Sequence, residues 1–247
     1  MKTARGFTLI EALVGMVVGT IVLAGAYSIW LTHQEESYRL SKKIELRNKL
    51  TLSSKRLQRS VTLAGLGLAG AANLGKYDAI GSDTLIVFTN PREESSVLSA
   101  DIDHHQALLT VDAPALFAEG GYVAISGAGH AELRRISAVS GNTLHLDSAF
   151  VNDYPRAVCK AFPAERERYY TDRDSLHFIH ENSEGAHVVA TDVRNFQVSF
   201  SDRTGKPTET VARIRSVLFS LTGVYPAKAG ALSTLIYSST AIPRNTL

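Results

Sequence analysis

The chain has very little cysteine: among 247 residues there is one, Cys159. A lone thiol excludes an internal disulfide framework and any multi-cysteine zinc site. Proline is sparse too, with seven in all and none before Pro91. The 18 glycines follow no period, which excludes collagen-like, solenoid and low-complexity classes. An excess of one charge sign is also missing. There are 26 Lys and Arg against 24 Asp and Glu, and setting aside Lys2 and Arg5 leaves 24 of each. That balance speaks against a strongly basic nucleic-acid binder. At 45% hydrophobic and 20% charged, the chain has enough apolar content for one sizeable core, or for a membrane anchor with a head domain.

Charge is missing most conspicuously between Phe7 and Leu31, where Glu11 is the only charged side chain and Lys2 and Arg5 precede the run. As a helix at about 1.5 Å per residue this stretch covers ~37 Å, against roughly 30 Å of bilayer hydrocarbon. The flanking positive charges favour a cytoplasmic amino terminus, which puts everything after Leu31 outside. An ordinary secretory signal is one reading, with Ala24-Gly25-Ala26 before a cut at Tyr27. It would release a periplasmic binding protein or enzyme. An uncleaved single-pass receptor is another. The signal reading leaves two things unexplained: a carboxylate, Glu11, in the apolar run, and the continuation of that run through Ile29, Trp30 and Leu31.

Gly6-Phe7-Thr8-Leu9-Ile10-Glu11 resembles the processing motif of the type IV pilin and pseudopilin superfamily: a short basic leader, Gly before the cut, Phe after it, and Glu at the head of an apolar helix. The resemblance implies a leader over residues 1–6, removed by prepilin peptidase between Gly6 and Phe7, with N-methylation of Phe7 and retention of the helix. It gives Glu11 an assembly role, because the new Phe7 amine supplies a counter-charge within the same apolar region, in the same subunit or a neighbour. Pairing offsets part of the desolvation cost that either charge alone would bear. Gly15 and Gly19, with Ala12 one turn earlier, offer a face of small residues for close helix packing.

Helical spacing continues past the membrane segment, with Leu46, Leu50, Leu57, Val61, Ala64 and Leu68 at three-, four- or seven-residue steps. This predicts a helix from about Thr8 to Ala64. Residues 7–31 form its transmembrane part and 32–69 its amphipathic part. From Glu35 to Ser60 there are eight basic residues and three acidic ones, read as a solvated face near anionic lipid headgroups. Gly65-Leu66-Gly67-Leu68-Ala69-Gly70 has the spacing of a dinucleotide loop, but a helix precedes it where that chemistry needs a strand, so it reads as a helix stop.

Beyond residue 70 the pattern alternates, predicting strands at Thr84–Thr89, Ala107–Val111, Tyr122–Ser126, Leu133–Val139, Thr143–Leu146, Leu176–His180, Val193–Phe200 and Val211–Leu221. Asp202 to Pro207 reads as a turn. The fold class is therefore α+β, a long N-terminal helix packed against an antiparallel, two-sheet head over 70–247, and the resemblance makes it pilin-like. Residues 61–247 hold 16 basic and 20 acidic side chains, so the head is mildly acidic and the basic excess lies on the stem.

Asp101, Asp103, His104 and His105 are the densest group of potential metal ligands, but adjacent His side chains point apart on a strand, and a polar surface loop is the reading. His177 and His180 fall on opposite faces of a strand. No Gly-x-Ser-x-Gly elbow, His-Glu-x-x-His helix or Walker loop occurs. The sequence thus nominates no catalytic residue, no metal site and no cofactor. Tyr169-Tyr170 before Ser175-Leu176, the Val193–Phe200 strand, and Arg244-Asn245 after a closing strand resemble PilW-type minor pilins, and also J-type pseudopilins of type II secretion. Ser28 stands where pilins commonly carry a proline. The resemblance implies a non-enzymatic subunit that primes or caps a type IV pilus. Its partners would be prepilin peptidase, other minor pilins, the major pilin, the inner-membrane assembly machinery and membrane lipid, with no sequence-specific nucleic acid. The head would lie in the periplasm before assembly.

Overall fold

A computed structural model of the chain describes residues 9–68, 77–78, 83–180, 185–208, 214–227 and 230–243. Helix α1 runs unbroken from Leu9 to Leu63, about 82 Å at 1.5 Å per residue. No proline interrupts it, and two hydroxyl side chains of its first half bond within it: Thr20 and Thr32 Oγ1 donate to the carbonyls of Met16 and Ser28 at 2.8 and 3.0 Å. That arrangement leaves these hydroxyl donors satisfied without water. Ion pairs Arg39–Glu35 and Lys42–Glu45 stitch the solvated middle at 3.0 and 2.9 Å.

The helix ends where the glycines begin. Gly65 and Gly67 have φ of 73° and 68°, in the left-handed region. A Cβ on Gly67 would lie 2.1 Å from the Asn90 carbonyl oxygen, so only glycine fits this close approach. Gly65 N donates to Phe88 O and Asn90 N to Leu66 O, both at 2.8 Å, fastening the turn to the head. Ala69 and Gly70 lie outside the described residues.

Among the described residues of the head, every strand pair is antiparallel. In chain order the strands are β1 Tyr77–Asp78, β2 Thr84–Thr89, β3 Ser96–Val97, β4 Leu108–Thr110, β5 Tyr122–Gly127, β6 His130–Ser140, β7 Thr143–Leu146, β8 Lys160–Asp172, β9 Ser175–His180, β10 His187–Thr191, β11 Val193–Ser201, β12 Ser216–Pro226 and β13 Leu232–Ala241. The larger sheet has the order β1-β2-β8-β5-β6-β7-β4, with β9 and β3 also on β8 and β10 beyond β9. The smaller sheet is β11-β12-β13.

Strand β8 organises the large sheet, and the sequence reading did not find it. It contains Pro163 and the charged stretch Glu165-Arg166-Glu167-Arg168, and no strand was expected there. Arg166 and Arg168 lie over the rings of Tyr122 and Tyr170 at 5.6 and 4.8 Å, which lets cations line a strand face. Pro163 falls between the last β2 partner, Glu165, and the first β3 partner, Ala161, so one flank there has no ladder bond to lose.

One core joins helix and sheets: Leu46, Leu50, Leu57, Val61 and Ala64 meet Leu85, Val87, Tyr169, Phe178, Phe196, Phe219 and Leu221. The alternation in β11 is as expected, with Phe196, Val198 and Phe200 buried and Gln197 and Ser199 exposed. A second core fills the far lobe around Leu109, Ile125, Phe150 and Tyr154.

Candidate assembly interface on the N-terminal helix

The two halves of α1 live in different environments. The first buried residue of the helix is Leu46, and no described residue before it is buried. Between Leu9 and Leu31, fourteen large hydrophobic side chains are exposed, Leu9 at 86% and Met16 at 75%. At about 1.5–3 kcal/mol per side chain, leaving them in water would cost on the order of 20 kcal/mol or more. The segment therefore fits membrane anchoring or close helix packing. Tyr27 and Trp30 stack at 5.8 Å near its far end, the amphipathic pair expected at a lipid headgroup boundary.

Glu11 lies in the first turn of α1 and is exposed. Gly6 and Phe7 lie outside the described residues. A Cβ added at Gly15 or Gly19 would meet nothing within 4 Å, so this face is open to a neighbouring helix. Ala12, Gly15 and Gly19 lie within about 60° of one another around the helix.

A fastening point lies where the stem meets the head. Gly223 lets Leu46 close onto β12: a Cβ there would lie 2.7 Å from Leu46 Cδ1. Lys49 Nζ donates to Thr191 Oγ1 at 2.9 Å and to Asp192 Oδ2 at 3.1 Å, and it pairs with Glu45 at 2.9 Å. Hydrogen bonds from Lys42 and Lys49 hold the Glu45 carboxyl at about 2, and its partners Lys42 and Lys49 are raised. Further along, Ser60 Oγ and the Tyr169 hydroxyl are 2.8 Å apart, and the Arg56 guanidinium sits 3.9 Å over the Phe178 ring. Burial pushes the Tyr169 phenol up to about 12. None of these tertiary pairs is visible in sequence, since Lys49–Asp192 spans 143 positions.

Of the other residues singled out, His104 and His105 stay together, their rings 4.6 Å apart and edge-on. His104 Nδ1 is 2.8 Å from Asp153 Oδ1, and Asp101 Oδ1 accepts from Arg156 N at 2.8 Å. Among the described residues, no group of three or more His, Cys, Asp or Glu is placed to hold a metal. His177 stacks on Tyr170, while His180 faces Glu165 at 3.2 Å. Cys159 is buried at 2% exposure and packs on Gly127, and burial raises its thiol. Sequence reasoning also missed Glu132, a buried carboxylate in β6. It accepts from Val151 N and Asn152 N, Asn152 Nδ2 and the Tyr154 hydroxyl at 2.7–3.1 Å, and pairs with Arg134. Burial alone would raise Glu132, but these hydrogen bonds and Arg134 outweigh it and the carboxyl is lowered. Its role is to tie the loop after β7 to the sheet.

No curated protein matches the chain. Among solved structures, the Gp54 tailspike of Acinetobacter baumannii bacteriophage AP22, in complex with A. baumannii capsular saccharide, is similar at 15% identity with a TM-score of 0.27. That likeness covers 29% of this chain and 15% of the tailspike chain, and carries no argument. A family model described as the prokaryotic N-terminal methylation motif matches residues 1–27. The apolar helix thus begins inside the N-terminal methylation motif that type IV pilins and pseudopilins share.

Proposed function

We propose that this chain is a minor pilin subunit of the PilW kind, which primes or caps assembly of a type IV pilus and acts structurally, without catalysis. The observation that carries the reading is the division of α1: an apolar half projecting from the head and an amphipathic half fastened to it, with a methylation motif at the projecting end. In this reading prepilin peptidase cuts between Gly6 and Phe7 and Phe7 is methylated. The subunit waits in the inner membrane with its head in the periplasm. Glu11 of the incoming subunit pairs with the Phe7 amine of a neighbour, Gly15 and Gly19 allow close helix packing, and the head meets other minor pilins. The basic stem and mildly acidic head add attraction between adjacent copies.

The helix continues unbroken through Ser28, which suits a minor subunit and suits a J-type pseudopilin equally. Deleting the gene separates the two, since loss of surface pili supports the first role and loss of secretion with pili intact supports the second. The assembly reading itself is tested with Glu11→Val. The variant should be cut and methylated, remain in the membrane, and drop at least about tenfold in the sheared fibre fraction. Wild-type incorporation of Glu11→Val would remove the docking role.

A further inference from the structure

Sheet edges present unpaired N–H and C=O groups, and proteins ordinarily blunt them with charge, proline, bulges, short strands or a covering segment. Most described edges of the head follow this rule. β4 has three residues, and beside it Ser99 N donates to Thr110 O and Asp112 N to Val97 O. β10 has five residues and a register shift between Val188 and Ala190. β11 shifts register between Val193 and Asn195 and carries the exposed Arg194.

β13 departs from the rule. It runs ten residues without charge or proline and pairs with β12 from Ala241 to Leu232 with no shift in register. It is the last strand of its sheet, and among the described residues only β12 pairs with it. Leu235 and Tyr237 on its inner face are only partly buried against the core, while Leu232 and Ile236 on the outer face are 55% and 65% exposed. Gln58 of α1 donates to Ser239, so this edge runs beside the stem.

We propose that β13 is a docking edge on which an extended segment of a different subunit of the same fibre adds as a fourth strand through main-chain hydrogen bonds. This rests on the assembly reading above. The occupant is uncharged, because Ala231 to Pro243 contains no Asp, Glu, Lys, Arg or His and a charge laid along this edge would lose water without gaining a counter-charge. Ten residues offer ~34 Å of edge. Packing of the neighbouring helices holds the partner close, so the added strand needs little affinity of its own.

The test is backbone hydrogen exchange on the full processed chain, as solubilised subunit and within sheared fibres, together with Ile236→Lys. Expected are wild-type incorporation and slowing of β13 amides by at least about tenfold on assembly. Ile236→Lys should unfold at the wild-type temperature yet incorporate at least about tenfold less, while Gln197→Lys on the exposed face of β11 incorporates normally. Fibres containing the wild-type chain with β13 exchange unchanged would overturn strand addition and leave the assembly reading standing. Absence of the wild-type chain from fibres would overturn both. Concentration-dependent slowing in the solubilised subunit would assign the edge to a second copy and overturn the proposed occupant.

Discussion

Replacing Leu57 with Ala probes the attachment of the stem to the head. Leu57 is fully buried, in one cluster with Leu50, Val61, Phe196 and Phe219. Truncating a buried leucine removes its transfer free energy and leaves a cavity, together about 3–5 kcal/mol at a rigid site. The site is rigid because a continuous helix faces paired strands, so little collapse is available. For a chain of this size about 1 kcal/mol moves Tm by roughly 2–4 °C, so the expected drop is at least about 6 °C. Near-ultraviolet circular dichroism of the detergent-solubilised full chain reads it through the head tyrosines, since the single tryptophan, Trp30, lies on the projecting half. Leu52→Ala is the control: five residues away on the same helix, its side chain is 68% exposed and the change should stay within about 0.5 kcal/mol. Equal shifts for the two variants, or none for Leu57→Ala, would refute the assignment of the second half of α1 to the core.

Four further outcomes follow from named contacts. Gly67→Ala should prevent accumulation of folded protein, because its Cβ meets the Asn90 backbone, whereas Gly141→Ala, also at positive φ but with open space around it, should fold with a small loss of Tm. Glu132→Gln should cost about 1–3 kcal/mol at neutral pH in urea unfolding. The folded Glu132 carboxyl is lowered, so its contribution is present above the unfolded value near 4.5 and disappears as pH falls through the lower folded value; the two proteins should converge in acid. Lys49→Met should cost no more than about 1 kcal/mol, and the difference from wild type should shrink in 1 M salt, since both partners are partly exposed. Cys159 should resist thiol reagents in the folded chain and react only on unfolding; rapid labelling of native protein would contradict its burial.

Much of the architecture was legible because its signals are local. The apolar run, the absence of proline before Pro91 and the Leu46-to-Ala64 spacing define a helix observed from Leu9 to Leu63. Alternation located β2 and β7 to the residue, and the Gly65-Gly67 pair was read correctly as a stop. β8 escaped because its arginines lie over rings, Arg166 over Tyr122 of β5 and Arg168 over Tyr170 of β8 itself, and its proline sits at a gap between partner strands, which only the sheet pairing reveals. The strand expected from Val211 begins at Ser216, with 211–213 outside the described residues. Gly223, Asp192 and Glu132 act through partners far away in sequence, so no local pattern marks them. Gly6, Phe7, Arg244 and Asn245 are outside the described residues, and the roles of the first two rest on the motif.

Intact mass and amino-terminal peptide mapping of the chain purified from its native membranes tests the central claim most directly. A chain beginning at N-methylated Phe7, six residues shorter than the sequence, is the predicted result. A chain beginning at Tyr27 would contradict it in favour of a released periplasmic protein, and an intact Met1 start would contradict it in favour of an uncleaved membrane-anchored receptor.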